Sequence, residues 1–139
     1  MAKNTQFSIA VHIMAALAYR CDKNLTSANL ASSVNTSPSF VRRVLSKLSK
    51  AGLVKTATGK AGSCWLAEDA RQISLLRIYQ AVEGPKAFCI HHYREQKGCP
   101  VSGHIKVALE RALRRTQKAL EAGLQEISLA QIVSDLKAR

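Results

Sequence analysis

The sequence predicts a mainly α fold, a winged helix-turn-helix domain with a two-stranded wing, plus a long C-terminal helix. Three observations predict it. Two N-cap residues, Thr26 and Ser37, stand eleven positions apart and each opens a helical apolar pattern. The stretch LVKTATGKAGSCWL that follows reads as strand, Gly-rich turn, strand. From about Ser102 to Ala122, apolar and small residues recur at spacings of three and four, the period of one long helix.

The elements follow in order. Phe7, Ala10, Val11, Met14, Leu17 and Ala18 share one helical face, with Asn4 or Thr5 as the cap. Thr26 caps a short helix that turns Leu30, Ala31 and Val34 inward. Ser37 caps the next, and Pro38 suits its first position because the N–H it lacks would have no helical partner there. In SPSFVRRVLSKLSKAG, Val41, Val44, Leu45 and Leu48 form the core face. Ser39, Arg42, Arg43, Ser46, Lys47 and Lys50 are left outward, and Gly52 ends the helix. The hairpin pairs Val54 to Thr56 with Ser63 to Leu66 around a tip at Gly59 to Gly62. Ser74 caps a helix carrying Leu75, Ile78, Tyr79 and Val82 that stops at Gly84 and Pro85. A loop follows, then the long helix with Ile105, Ala108, Leu109, Ala112, Thr116, Ala119 and Leu120 on a narrow stripe suited to packing on another helix. Ser128 caps a last helix, Leu129 to Leu136. The organisation is a winged domain over 1–84, a cysteine- and histidine-bearing loop over 85–101, and a helical C-terminal part over 102–139.

Composition narrows the function. At 139 residues and 47% apolar content the chain has the length and core material of one ordinary domain. No run of about 18 apolar residues occurs, and polar residues interrupt the apolar N-terminal stretch, so neither a membrane span nor a signal peptide is expected and the expected location is cytoplasmic. Twenty-one Lys and Arg against nine Asp and Glu leave +12, which makes a polyanion the expected partner. A membrane surface would need a basic amphipathic helix with bulky apolar residues opposite, or a lipidation signal; neither is clear here.

The winged pattern suits double-stranded DNA. The second helix of the pair can enter a major groove about 12 Å wide while the hairpin reaches neighbouring phosphates or the minor groove. Ser39, Arg42 and Arg43 occupy the first turns of that helix, where base edges are read, and arginine's two-pronged donors match guanine; Ser37, its cap, is also expected to bind DNA. Lys47 and Lys50, with Thr58 and Lys60 on the wing, are assigned to phosphates. Exposed cations on a helix are usually a solvated face; here caps, basic helix, basic hairpin and net charge agree.

The stretch TSANLASSVNTSPSFVRRVLSKLSKAGLVKTATGKAGSCWLAEDARQISLLRIYQAVEG resembles the bacterial Rrf2 (Rrf-two) family of transcription regulators, which includes the iron–sulfur cluster regulator, the nitric-oxide-sensitive repressor and the cysteine-metabolism repressor. The most specific parts are LSKAGLV, the wing GKAGSCWLA, the segment ISLLRIYQAVEG and the cysteine-bearing loop before a long helix. The wing departs from the family pattern of two adjacent glycines, since Ala61 precedes Gly62. The resemblance implies a homodimer formed through the long helix and a palindromic operator read by two winged domains, as in a DNA-binding repressor.

The loop AFCIHHYREQKGCPVSGH admits several chemistries. In cluster-binding relatives it supplies three cysteines; here Cys89 and Cys99 match the outer two and no middle cysteine lies between them, so an iron–sulfur cluster would need His91, His92 or His104 as a ligand. Zinc could take Cys89, His91 or His92, Cys99 and His104, although the spacings are not those of paired knuckles. A thiol switch would use Cys89 and Cys99, with Lys86, His91, His92, Arg94 and Lys97 near enough in sequence to favour thiolate, and Cys21 as a resolving thiol. A purely structural loop is the remaining reading, and the expectation is no bound cofactor. Cys64, beside Trp65 in a strand, reads as packing.

Two other classes compete. An enzyme using Cys89 with His91 or His92 as nucleophile and base lacks an orienting acid and an oxyanion signature, so the chain is not expected to be an enzyme. A sequence-neutral single-strand or RNA binder would want stacking platforms, and three Phe, three Tyr and one Trp offer few.

Overall fold

The computed structural model describes residues 5–21, 24–57 and 62–139. Its helices are α1 (Gln6–Tyr19), α2 (Ser27–Val34), α3 (Pro38–Lys50), α4 (Leu75–Ala81), α5 (Pro100–Gln125) and α6 (Leu129–Lys137). Its strands are β1 (Leu25–Thr26), β2 (Val54–Thr56) and β3 (Ser63–Leu66), and a 3₁₀ turn spans Ala70–Gln72. The sequence predicts two strands; the sheet has three, in the order β1-β3-β2, all antiparallel. Two residues are too short to show a period of two. β1 exists because β3 offers a free edge, onto which Leu25 registers against Cys64 and Thr26 against Ser63.

Local chemistry sets the helix-turn-helix. The Thr26 hydroxyl accepts from the Asn29 N–H and the Asn29 side chain accepts from the Thr26 N–H, a reciprocal capping box. α2 stops at Asn35, whose φ of 67° is left-handed, a conformation asparagine tolerates better than most residues. Two residues later Ser37 caps α3 by accepting from the Phe40 N–H at 3.2 Å. At the far end Gly52, φ 78°, takes the left-handed turn while the Leu53 N–H returns to the Leu48 carbonyl. By contrast the Thr5 side chain makes no capping bond to α1, and Asn4 lies outside the described residues.

The core lies between α1, α2, α3 and α4, with Ile13, Met14, Leu30, Val41, Val44, Leu48, Leu53 and Ile78 fully buried. α6 returns to it: Leu129 is fully buried in the same cluster, and the 73–75 and 127–129 backbones exchange hydrogen bonds, Leu75 N–H to Ile127 O and Leu129 N–H to Ile73 O, both 2.8 Å. α5 begins two residues before the expected Ser102 because Cys99 is its cap and Pro100 occupies its first turn. Although 26 residues long, α5 buries none of them.

Candidate nucleic-acid interface and the cysteine–histidine loop

α3 divides cleanly. Val41, Val44, Leu45 and Leu48 are buried, whereas Ser37, Ser39, Arg42, Arg43, Ser46 and Lys50 are exposed and Lys47 is half-buried. The outward side chains are held loosely by neighbours on their own helix. An Arg42 Nη2 donates to Ser39 Oγ at 3.4 Å, and the Arg43 guanidinium sits 5.3 Å from the Phe40 ring centroid. Among the described residues the ion pairs are Arg71–Asp69 and Arg77–Glu68, so no carboxylate neutralises a cation of α3. Thr58 and Lys60, expected on the wing, lie outside the described residues. On β2, Lys55 is exposed opposite Trp65 of β3.

One sequence signal for this face went beyond the helix pattern. No Asp or Glu occurs between Asp22 and Glu68, a stretch that holds Lys23, Arg42, Arg43, Lys47, Lys50, Lys55 and Lys60. The acid-free stretch spans both helices of the pair and the whole hairpin, so the positive field has no local counterweight across that surface.

The cysteine–histidine loop runs along α5 and is tied to it at both ends. Ser102 is one anchor: its carbonyl accepts from the Tyr93 hydroxyl at 2.7 Å, its Oγ accepts from the Gln96 N–H at 2.7 Å, and its N–H donates to Cys99 Sγ at 3.4 Å. Gln117 is the other. Its Oε1 accepts from the Ala87 N–H at 3.0 Å and its Nε2 donates to the Tyr79 hydroxyl, also at 3.0 Å. Neither Ser102 nor Gln117 stands out in the sequence, because their roles depend on a chain returning alongside the helix.

The expected ligand set is not gathered. Cys99 caps α5, His104 Nδ1 lies 2.8 Å from the Pro100 carbonyl of its own helix, and the His91 ring stacks on Tyr93 with centroids 5.0 Å apart. Cys89 and His92 are exposed. Among the described residues no three His, Cys, Asp or Glu side chains come close enough to hold a metal. In this arrangement the residues do not fit an iron–sulfur cluster or a zinc ion. The physical reason is that hydrogen bonds along α5 spread the loop out instead of folding it over one point. Cys21 is exposed just past the end of α1. Cys64 is fully buried, donates to the Leu25 carbonyl at 3.1 Å, and burial pushes its thiol up to about 11, so it packs.

Comparison with known proteins agrees with the architecture. The family model described as Rrf2, iron-dependent transcriptional regulator, matches residues 3–135. YwnA of Bacillus subtilis (strain 168), which bears the name of an HTH-type transcriptional regulator, is 33% identical over 96% of this chain and 98% of its own. A crystal structure described as a DNA-binding protein, also 33% identical, superposes with a TM-score of 0.74 over 91% of this chain and 97% of that one. The IscR of T. potens, at 22% identity and a TM-score of 0.72 over 98% of this chain and 88% of that one, shares the fold.

Proposed function

Since the chain belongs to the Rrf2 family of transcriptional regulators, and not to a family of enzymes, we propose that it is a homodimeric repressor that reads a palindromic operator through α3. The observation that carries this is the outward face of α3. It is a capped helix presenting Arg42, Arg43, Lys47 and Lys50 with no ion-pair partner among the described residues. Ser39, Arg42 and Arg43 contact base edges, whereas Ser37, Lys47, Lys50 and, from the wing, Thr58 and Lys60 contact phosphates. The test is selection of a preferred duplex from a random pool, then affinities for that duplex and for random DNA. Arg42→Ala and Arg43→Ala should lower the specificity ratio by about 10–100-fold each, whereas Lys50→Ala weakens both affinities alike. Equal affinity of the parent protein for both DNAs would end this reading.

The dimer rests on α5. Counting 100° per residue, Val101, Ile105, Ala108, Ala112, Thr116, Ala119 and Gly123 share one face, while Leu113, Gln117 and Leu124 lie about a quarter turn or more away, on the side facing the loop and α4. The first face is apolar and small and, among the described residues, mostly exposed, with only Ile105 half-buried: Val101 is 68% exposed, and the Thr116 hydroxyl donates to the Ala112 carbonyl of its own helix. A second copy of α5 fits such a face by close helix approach. Ala112→Arg should convert a dimer to a monomer in sedimentation equilibrium; an unchanged mass would overturn the assignment.

A second reading concerns Cys99. Its sulfur is the side-chain cap of α5 and the loop holds Cys89 away from it, so joining the two would release the loop from its anchors and remove the acceptor for the Ser102 N–H. The step balances with a peroxide: two thiols give one disulfide, and the peroxide O–O bond is reduced to water and an alcohol or a second water. Operator affinity and free-thiol count, measured before and after hydrogen peroxide, test it; affinity that stays constant while two thiols disappear rules it out.

A further inference from the structure

The two anchors of the loop leave a gap between them. Along α5 from Lys106 to Glu121 the chain carrying Phe88, Cys89 and Ile90 stands off the helix, and the space between them is a half-open cleft of about 580 Å³, the size of a site for a metabolite. Its apolar wall is Phe88, Ile90 and Leu113. Phe88 is 60% exposed although an aromatic ring gains most by burial. Around that wall stand four cations, Lys86, Lys106, Arg114 and Lys118, against two carboxylates, Glu110 and Glu121. Among the described residues none of the four cations forms an ion pair. An apolar floor with an excess of unpaired positive charge at its rim favours a ligand with one hydrophobic body and one negative head.

We propose that this cleft binds a small amphipathic organic anion, an aromatic or branched aliphatic body bearing one carboxylate or sulfonate group. Leu113, Phe88 and Ile90 take the body, and Arg114, which follows Leu113 on α5, takes the head together with Lys118, one turn beyond it. The site is separate from the small apolar face of α5, because Lys106, Leu113, Arg114 and Gln117 lie on the loop side of the helix. It is also connected to α3. Gln117, which lines the cleft, donates to the Tyr79 hydroxyl of α4. The Tyr79 ring meets Phe7 of α1 edge to face at 5.6 Å, and Ile78 of the same helix lies in one buried cluster with Val41, Val44 and Leu48 of α3. An occupant that shifts Gln117 therefore shifts α4 against α3. Binding stands apart from the DNA-binding reading; only this coupling rests on it.

Cys89 lines the cleft and is exposed, and Cys21 is exposed elsewhere, so the chain carries a reporter and an internal control. The experiment measures iodoacetamide alkylation of each cysteine by peptide mass spectrometry in the full chain, with 1-anilinonaphthalene-8-sulfonate as the anionic probe. The neutral analogue N-phenyl-1-naphthylamine serves for comparison. Saturating anionic probe should slow Cys89 at least 10-fold and leave Cys21 unchanged, with the neutral analogue at least 10-fold weaker. In an Arg114→Gln/Lys118→Gln variant, two exposed positions whose change leaves the melting curve in place, protection should disappear. Equal slowing of both cysteines, equal protection by the neutral analogue, protection retained in the variant, or probe fluorescence without protection of Cys89 would each overturn the site. For the coupling, the probe should change operator affinity at least fivefold. Tyr79→Phe, which keeps the ring and removes the hydroxyl, should abolish that change while protection remains; a change that persists would overturn the route through Tyr79. Loss of operator binding altogether would leave the alkylation arms standing.

Discussion

Cys64 shows how one residue's identity is decided by its surroundings. Its thiol lies between β1 and the core, with the Leu25 carbonyl as acceptor, and water is excluded from it. Burial raises its pKa from the usual 9.0 to about 11, so the neutral form is the one the fold stabilises. The sign follows by linkage: that stabilisation is complete below pH 9 and is lost as pH rises through 11. At one pKa unit per 1.36 kcal/mol the loss is on the order of 2–3 kcal/mol. Urea unfolding at pH 8 and pH 10.5 should show the parent protein losing about 2 kcal/mol more stability than Cys64→Ser, which keeps a donor for Leu25 but does not titrate. In the native protein iodoacetamide should reach Cys21 and Cys89 while sparing Cys64. Gly84 is a second case. A Cβ there would stand 2.2 Å from the Tyr79 ring, whose hydroxyl donates to the Pro85 carbonyl, so the glycine makes room for the ring that closes α4. Gly84→Ala should cost about 1–3 kcal/mol by overpacking, visible as a lower melting temperature.

For the elements, caps and faces matter more than propensity. α2 is eight residues long, too short to persist alone, and it exists because Thr26 and Asn29 satisfy each other's backbone groups and Leu30 and Ala31 are buried. Ser37→Ala should lower stability by about 1 kcal/mol and weaken operator binding further, since the α3 N-terminus then frays at Ser39 and Arg42, the proposed base contacts. α6 contributes through Leu129, fully buried against the winged body; Leu129→Ala should cost about 2–5 kcal/mol in denaturant unfolding. α5 is the exception. Its 26 residues extend about 39 Å, and its small apolar face gains nothing until another surface covers it.

At the scale of the whole molecule, charge sets behaviour. Of the +12 of one chain, +7 falls in the stretch between Asp22 and Glu68, which has no acid, so attraction to DNA is long-ranged and screened by salt. With about 6–10 phosphate contacts in the proposed dimer, affinity should fall by roughly three to five decades between 50 and 200 mM salt. Fluorescence anisotropy titrations at four salt concentrations give the slope directly, and a shallow slope would mean that the α3 and wing cations do not meet phosphates.

What was legible in the sequence was whatever depends on neighbours close along the chain. Thr26, Ser37, Ser74 and Ser128 each accept from an N–H three residues on, and that bond is written in local order. The apolar period of α3 marked Val41, Val44, Leu45 and Leu48 as core for the same reason, and the outward basic face is its complement. Other features needed the third dimension. β1 is two residues that pair only because β3 passes beside them. The five cysteine and histidine candidates of the loop are close in sequence but held apart, since Ser102 and Gln117 pin the chain along α5. Short-range hydrogen bonds and hydrophobic period are enough to specify the winged architecture and the capped, outward-basic helix α3, and composition gives the charge, so all three are readable from the order of residues. The tertiary structure alone decided how α6 closes the core and where the loop lies against α5, because those depend on contacts between residues dozens of positions apart.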